Sequence, residues 1–200
     1  EYTRVYARTS TGNPELPSFD GNFNVARVRW TFDGQDSATV PTRGLRLTAE
    51  GRWYFSAPDA KQDFPQAEVR LSQFIPMSTK GSMFLAGIAG SAFGREVPPI
   101  QQFLLGGPFR FGAINRDELR VNQYFLATGG YLHKLDELPS LIGGNIYAGV
   151  WFDQLGVSGG FTPQFDLQRH RSAFSLGFVM DTKVGPFSIV GTRGEGGRGK

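Results

Sequence analysis

Apolar and polar residues alternate with a period of two along most of this chain. In "GLRLTAEGRWYF" Leu45, Leu47, Ala49, Trp53 and Phe55 fall on one face, and Arg46, Thr48, Glu50, Arg52 and Tyr54 on the other. Such alternation is the mark of a strand with two chemically different sides. At ~3.3 Å per residue the segment would run about 40 Å, well beyond the ordinary strand of about 5–6 residues. A tilted strand needs about 9–11 residues to cross a bilayer.

The pattern recurs. Ala26, Val28, Trp30 and Phe32 oppose Val25, Arg27, Arg29 and Thr31; Ala67, Val69, Leu71 and Ile75 oppose Glu68, Arg70, Ser72 and Phe74. Ile146, Ala148, Val150 and Phe152 share a side, as do Phe174, Leu176, Phe178 and Met180. Residues 82–93 are small and apolar on both faces, which leaves their orientation open. The reading gives nine strands, at 2–10, 22–33, 43–56, 66–77, 82–94, 118–133, 144–154, 171–182 and 186–193, and no helix longer than two turns. The tight connectors "TKG" (79–81) and "KVGP" (183–186) and the long ones (56–65, 95–119 and 153–170) fall on opposite parities, as in a transmembrane barrel with short turns at one rim and long loops at the other. Connectors 33–44 and 134–145, of moderate length, fall on the short-turn side. The expected fold is therefore all-β, an antiparallel transmembrane β-barrel. A soluble β-sandwich would alternate too, but with shorter strands and without Trp53, Tyr54, Phe55 and Trp151 near strand ends, where barrels carry aromatic girdles.

Composition narrows this further. The chain has 200 residues, no Cys and a formal charge of +3 with its basic residues dispersed. That excludes disulfide frameworks and thiolate metal sites, and argues against a nucleic-acid partner, which requires a basic face or stripe. No segment is long and apolar enough for a membrane-crossing helix. The chain opens "EYTRVYARTS", without Met or an apolar leader segment, so it is expected to begin after processing or to be a piece of something longer.

Four passages resemble the outer-membrane assembly-factor and two-partner-secretion superfamily, also called the bacterial surface antigen family. "FLLGGPFRFGAI" (103–114) resembles its F-x-L-G-G-x-x-x-(V/L)-R-G-(Y/F) motif, which marks the sixth extracellular loop. "FDGQDSATVPTRGLRL" (32–47) resembles D-x-x-D-x-x-x-x-P-x-x-G. "GVWFDQLG" (149–156) resembles its v-F-x-D-x-G strand end, and "SLGFVMDTKVGPFSI" (175–189) its penultimate hairpin. The resemblance implies a 16-strand barrel, of which residues 1–200 would be a C-terminal portion of about nine strands. It further implies a loop at 95–118 folded into the lumen, with Leu105, Gly106, Gly107, Phe109, Arg110, Phe111 and Gly112 as its motif. Gly106 and Gly107 would allow a tight turn, and Phe109 and Phe111 would pack on the inner wall; the alternative is an ordinary exposed loop. The family's loop Arg falls on Gly112, the next Gly on Ala113 and the aromatic on Ile114. Asp153 matches the acidic wall position that normally receives that Arg, so Arg110 or Arg116 would have to substitute, or Asp153 would simply be solvated.

The altered loop, with "DELRVNQYFLATGGYLHKL" after it, is most similar to the barrel of bacterial patatin-like phospholipases. The resemblance implies an outer-membrane location, contact with lipid and lipopolysaccharide, a passenger domain or secreted protein as partner, and a possible homo-oligomer. Assembly or secretion pore and passive anion-permeable channel are the alternatives. No catalytic residue, cofactor or metal is expected within this chain. "GVSGG" (156–160) fits G-x-S-x-G, but Ser158 would follow a strand with no helix after it, which a nucleophile elbow requires. His133 and His170 are expected at opposite rims, and Asp136 and Glu137 in a solvated turn. Arg27, Arg29, Arg46, Arg52 and Arg70 fall on polar faces, either lining a cationic lumen or merely contributing to the mixed charge shared with Glu50 and Glu68.

Overall fold

The structure, a computed structural model, describes residues 2–7, 19–107, 109–139, 141, 143–160 and 171–194. Its wall is one antiparallel sheet of nine strands: β1 (Tyr2–Ala7), β2 (Phe19–Asp33), β3 (Gly44–Ser56), β4 (Phe64–Pro76), β5 (Gly81–Ser91), β8 (Gln123–Glu137), β9 (Gly143–Ser158), β10 (Arg171–Thr182) and β11 (Gly185–Gly194). Neighbours in sequence are neighbours in the sheet, except that β5 pairs directly with β8. The segment between them forms a 3-10 turn (Pro99–Gln101) and a small hairpin, β6 (Phe103–Leu105) with β7 (Leu119–Val121).

Alternation settles which side chains face which way. Val28, Phe55, Leu176 and Ile189 lie on one face, 74%, 62%, 58% and 60% exposed. On the other face Glu50, Gln66, Glu68 and Asp153 are buried. Apolar outside and polar inside is the inverse of a water-soluble domain, and a continuous exposed apolar band of this kind is covered by lipid. Pairing also orients 82–93: Leu85 and Ala89 stand beside Gln73 and Val69 on the lipid side, while Phe84 and Ile88 turn inward beside Phe74 and Arg70.

Two expectations need correction. Residues 118–122 do not begin the wall strand: Leu119–Val121 pair with Phe103–Leu105 inside, and the wall resumes at Gln123 and runs to Glu137. The alternation of 119–121 reflects a hairpin packed on the inner face, which has the same period. The second concerns the girdle. Trp53 and Phe55 face lipid, with Trp53 Nε1 donating to Asp63 Oδ2 at 3.1 Å, but Tyr54 and Trp151 are buried on the inner face. Their parity places them there: Tyr54 stacks on Phe64 (4.7 Å) and Trp151 on Phe109 (5.7 Å).

Candidate functional site: the lumen loop and its wall contacts

Residues 92–107 and 109–122 leave the rim and fold back over the inner face. Backbone bonds close the base, Ala92 N to Asn122 O at 3.0 Å and Asn122 N to Gly159 O at 3.1 Å. The hairpin carries Phe103, Leu105, Leu119 and Val121 into one apolar core with Phe111 and Ile114 from the tip and Tyr124, Leu126, Leu155 and Ala173 from the wall. Removing such groups from water is the main force holding a loop of this composition down.

The tip has special backbone. Gly106 has φ +114°, and a Cβ there would overlap the Asn115 carbonyl oxygen; only glycine takes this conformation without cost. Gly106 N donates to Arg110 O (3.0 Å) and Gly107 N to Ile114 O (3.1 Å), which folds the tip on itself. Phe109 and Phe111 are left-handed as well, with φ +61° and +76°. Leu105 and Phe111 are buried, whereas Phe109 is 57% exposed and lies on Trp151.

Gly112 explains a departure from the family pattern. A Cβ at this position would stand 2.7 Å from Thr192 Oγ1, and Thr192 is itself buried in a 2.9 Å hydrogen bond with Ser175. The loop backbone therefore rests on β11, which leaves no room for an Arg at this register.

The loop's cation binds elsewhere. Arg110 Nη2 lies 3.6 Å from Glu68 Oε2 on β4. Glu68 also pairs with Arg70 and accepts a 2.6 Å bond from Tyr124 OH. Gln66 Nε2, one turn of the pleat away, donates to Gln101 O at 2.8 Å. The anticipated pair of Asp153 with Arg110 or Arg116 is not made. Asp153 is buried rather than solvated, accepts from Thr128 Oγ1 at 2.7 Å, and has no ion pair among the described residues. Arg116 lies against Gly107 at the tip and stays exposed, 3.6 Å from Asp117. Sequence reading missed Glu68 as the anchor. Its signal was an inward carboxylate on an arginine-bearing face, shared with Glu50, but nothing local ties it to the loop.

Below the loop, β2–β4 present an arginine wall. Glu50 accepts from Arg27 Nη2 (2.7 Å), Arg29 Nε (2.6 Å) and Arg52 Nε (2.5 Å), and Arg46 Nε lies 3.5 Å from Asp33. With Arg70 and Arg110 on Glu68, six guanidinium groups meet three carboxylates. Arg29, Arg46 and Arg70, with Glu50 and Glu68, border a cavity of about 400 Å³ that also exposes Thr31, Thr48 and Ser72. Ser158 is the last residue of β9, and residues 161–170, where the helix of an elbow would follow, lie outside the described residues. His133 is exposed on β8, and His170 lies outside the described residues. Asp136 Oδ1 accepts from Glu137 N, and Glu137 pairs with Lys134 at 2.6 Å. No group of metal-ligating side chains occurs among the described residues.

Residues 9–191 match the Omp85 superfamily domain. Among solved structures, BamA from Haemophilus ducreyi lacking POTRA domains 1–3 superposes with a TM-score of 0.66 at 16% identity. The match covers 92% of this chain and 41% of that one, so the chain spans about two-fifths of that shortened BamA chain. No curated protein matches. A long lipid-facing sheet, a loop folded onto its inner face and this family match agree, and the chain belongs to the Omp85 superfamily of bacterial outer-membrane β-barrels.

Proposed function

We propose that this chain is the C-terminal portion of a 16-strand barrel that anchors or translocates a passenger domain, and that the parent is a patatin-like phospholipase. The observation that carries the barrel's role is the docked lumen loop: an apolar core and the Arg110–Glu68 pair occupy the inner face, where an open pore would hold water. The phospholipase reading rests on the departures at Gly112, Ala113 and Ile114 together with the stretch 117–135, which resemble that group rather than the assembly factors. In this reading the chain performs no chemistry. Lipid and lipopolysaccharide surround it, the passenger is its partner, and a homo-oligomer is compatible with the exposed band.

The test is the parent gene and its product. A domain upstream with G-x-S-x-G and D-G-(G/A), whose Ser→Ala variant loses phospholipid acyl hydrolysis while still fractionating with the outer membrane, supports the proposal. Upstream periplasmic repeat domains without a hydrolase select the assembly or secretion pore instead. A second reading, an anion-permeable channel, is favoured by the inner face of β2–β4, where five arginines meet three carboxylates. It predicts a reversal potential in a KCl gradient set by chloride.

A further inference from the structure

The connector between β2 and β3, residues 34–43, does not end at the rim as a turn between adjacent strands would. Val40 is buried against Leu132 of β8, Tyr147 of β9 and Val179 of β10, with Phe74 and Phe84 packed beside them. Thr39 Oγ1 donates to Asp181 Oδ1 on β10 at 2.6 Å. Ser82 Oγ on β5 donates to the Thr42 carbonyl at 2.6 Å, and Gln35 Nε2 to Ser72 Oγ on β4 at 3.0 Å.

Four strands separate β3 from β10 in the sheet. At about 4.8 Å per strand that is roughly 24 Å along the wall. A turn continuing the line of its own strands touches its neighbours and no more. Contact with β10 requires that the sheet curl and that the turn cross its inner face. The turn is also built to hold its shape. Asp36 accepts from Thr42 N (2.9 Å), Thr42 Oγ1 (2.6 Å) and Arg43 N (3.1 Å), and Ser37 Oγ receives Thr39 N and Val40 N.

This turn lies at the end opposite the lumen loop. We infer that residues 34–43 form a second closure, a strap over the periplasmic mouth of the lumen, seated by Val40 and latched by Thr39 on Asp181. The loop closes the inner face from outside and the strap closes it from below, with the arginine-lined cavity between them. A resting barrel of this kind is sealed twice, and any passage requires that the strap leave its seat. The inference rests on the barrel alone and not on the identity of the passenger.

The experiment uses the full-length parent, made Cys-free outside this chain, which itself has no Cys. Val179→Cys sits beneath Val40 and reports coverage through its rate of labelling by a membrane-impermeant maleimide. Val40→Asp places a carboxylate in the apolar seat and should unseat the strap. The expected result is slow labelling with Val40 in place, at least tenfold faster labelling with Val40→Asp, and a rise of tenfold or more in the frequency of channel openings in planar bilayers. Should Val40→Asp fail to fold, as judged by heat-modifiable gel mobility, Thr39→Val removes the latch alone and should move both readouts in the same direction. Full-rate labelling of Val179→Cys with Val40 present overturns the strap. Fast labelling without added openings overturns its role as a seal.

Discussion

Phe111 tests whether packing or charge holds the lumen loop. Its side chain is 2% exposed, at the centre of the loop core. Phe→Ala at such a site costs about 3–5 kcal/mol. The left-handed backbone at φ +76° offers no relief, because alanine carries the same Cβ and the same strain. The wall strands remain paired, so the loss falls on docking of the loop rather than on the barrel. At about 1.4 kcal/mol per factor of ten, the undocked population should rise by two decades or more. The assay is hydrogen exchange of the peptide spanning 103–121 in the parent held in nanodiscs, where the Gly106 and Gly107 amides are bonded within the tip. Phe111→Ala should speed their exchange about a hundredfold or more. Phe109→Ala, which removes only a half-exposed ring stacked on Trp151, is worth about 1 kcal/mol and less than tenfold. Equal effects of the two, or less than a threefold effect of Phe111→Ala, would refute the reasoning.

The same exchange assay separates the two acidic residues: Glu68→Gln should loosen the loop about tenfold, since it removes the carboxylate shared by Arg110 and Arg70, whereas Asp153→Asn should leave loop exchange unchanged. Gly112→Arg, which restores the family residue, should release the tip rather than lock it, because the side chain collides with Thr192; protease sensitivity at 103–121 is the readout. For the strap, burial alone would raise the Asp36 carboxyl, but its hydrogen bonds from Thr42 and Arg43 outweigh this and hold it below the ordinary value. Its contribution is therefore complete above the unfolded value of about 4 and is lost as pH falls through the lower folded value. Exchange of residues 34–45, corrected for intrinsic rate, should rise on going from pH 7 to pH 3, and the rise should be smaller in Asp36→Asn. An equal rise in both proteins would count against it.

Much of the fold was legible because alternation is a local property. Each residue of an extended strand faces the side opposite its neighbour's, so polar Arg46, Thr48 and Glu50 had to share one face and Leu45, Leu47 and Ala49 the other, whatever the strand paired with. Strand length then required lipid. Residues 119–121 misled the reading because an inner hairpin and a wall strand share that period. Tyr54 and Trp151 misled it because nearness to a strand end says nothing about face.

The candidate site was legible only in part. Gly106 and Phe111 announced an unusual loop, but its partner on the wall was hidden. Arg110 and Glu68 lie 42 positions apart, on segments that no local rule links. The sequence by itself determined which faces meet lipid and where the chain turns back, since backbone geometry and transfer from water act residue by residue. The tertiary structure alone decided that Arg110 goes to Glu68 rather than Asp153, that Gly112 rests on β11, and that Val40 reaches β10. Those pairings depend on how the sheet curls, and the curl sums small twists over all its strands.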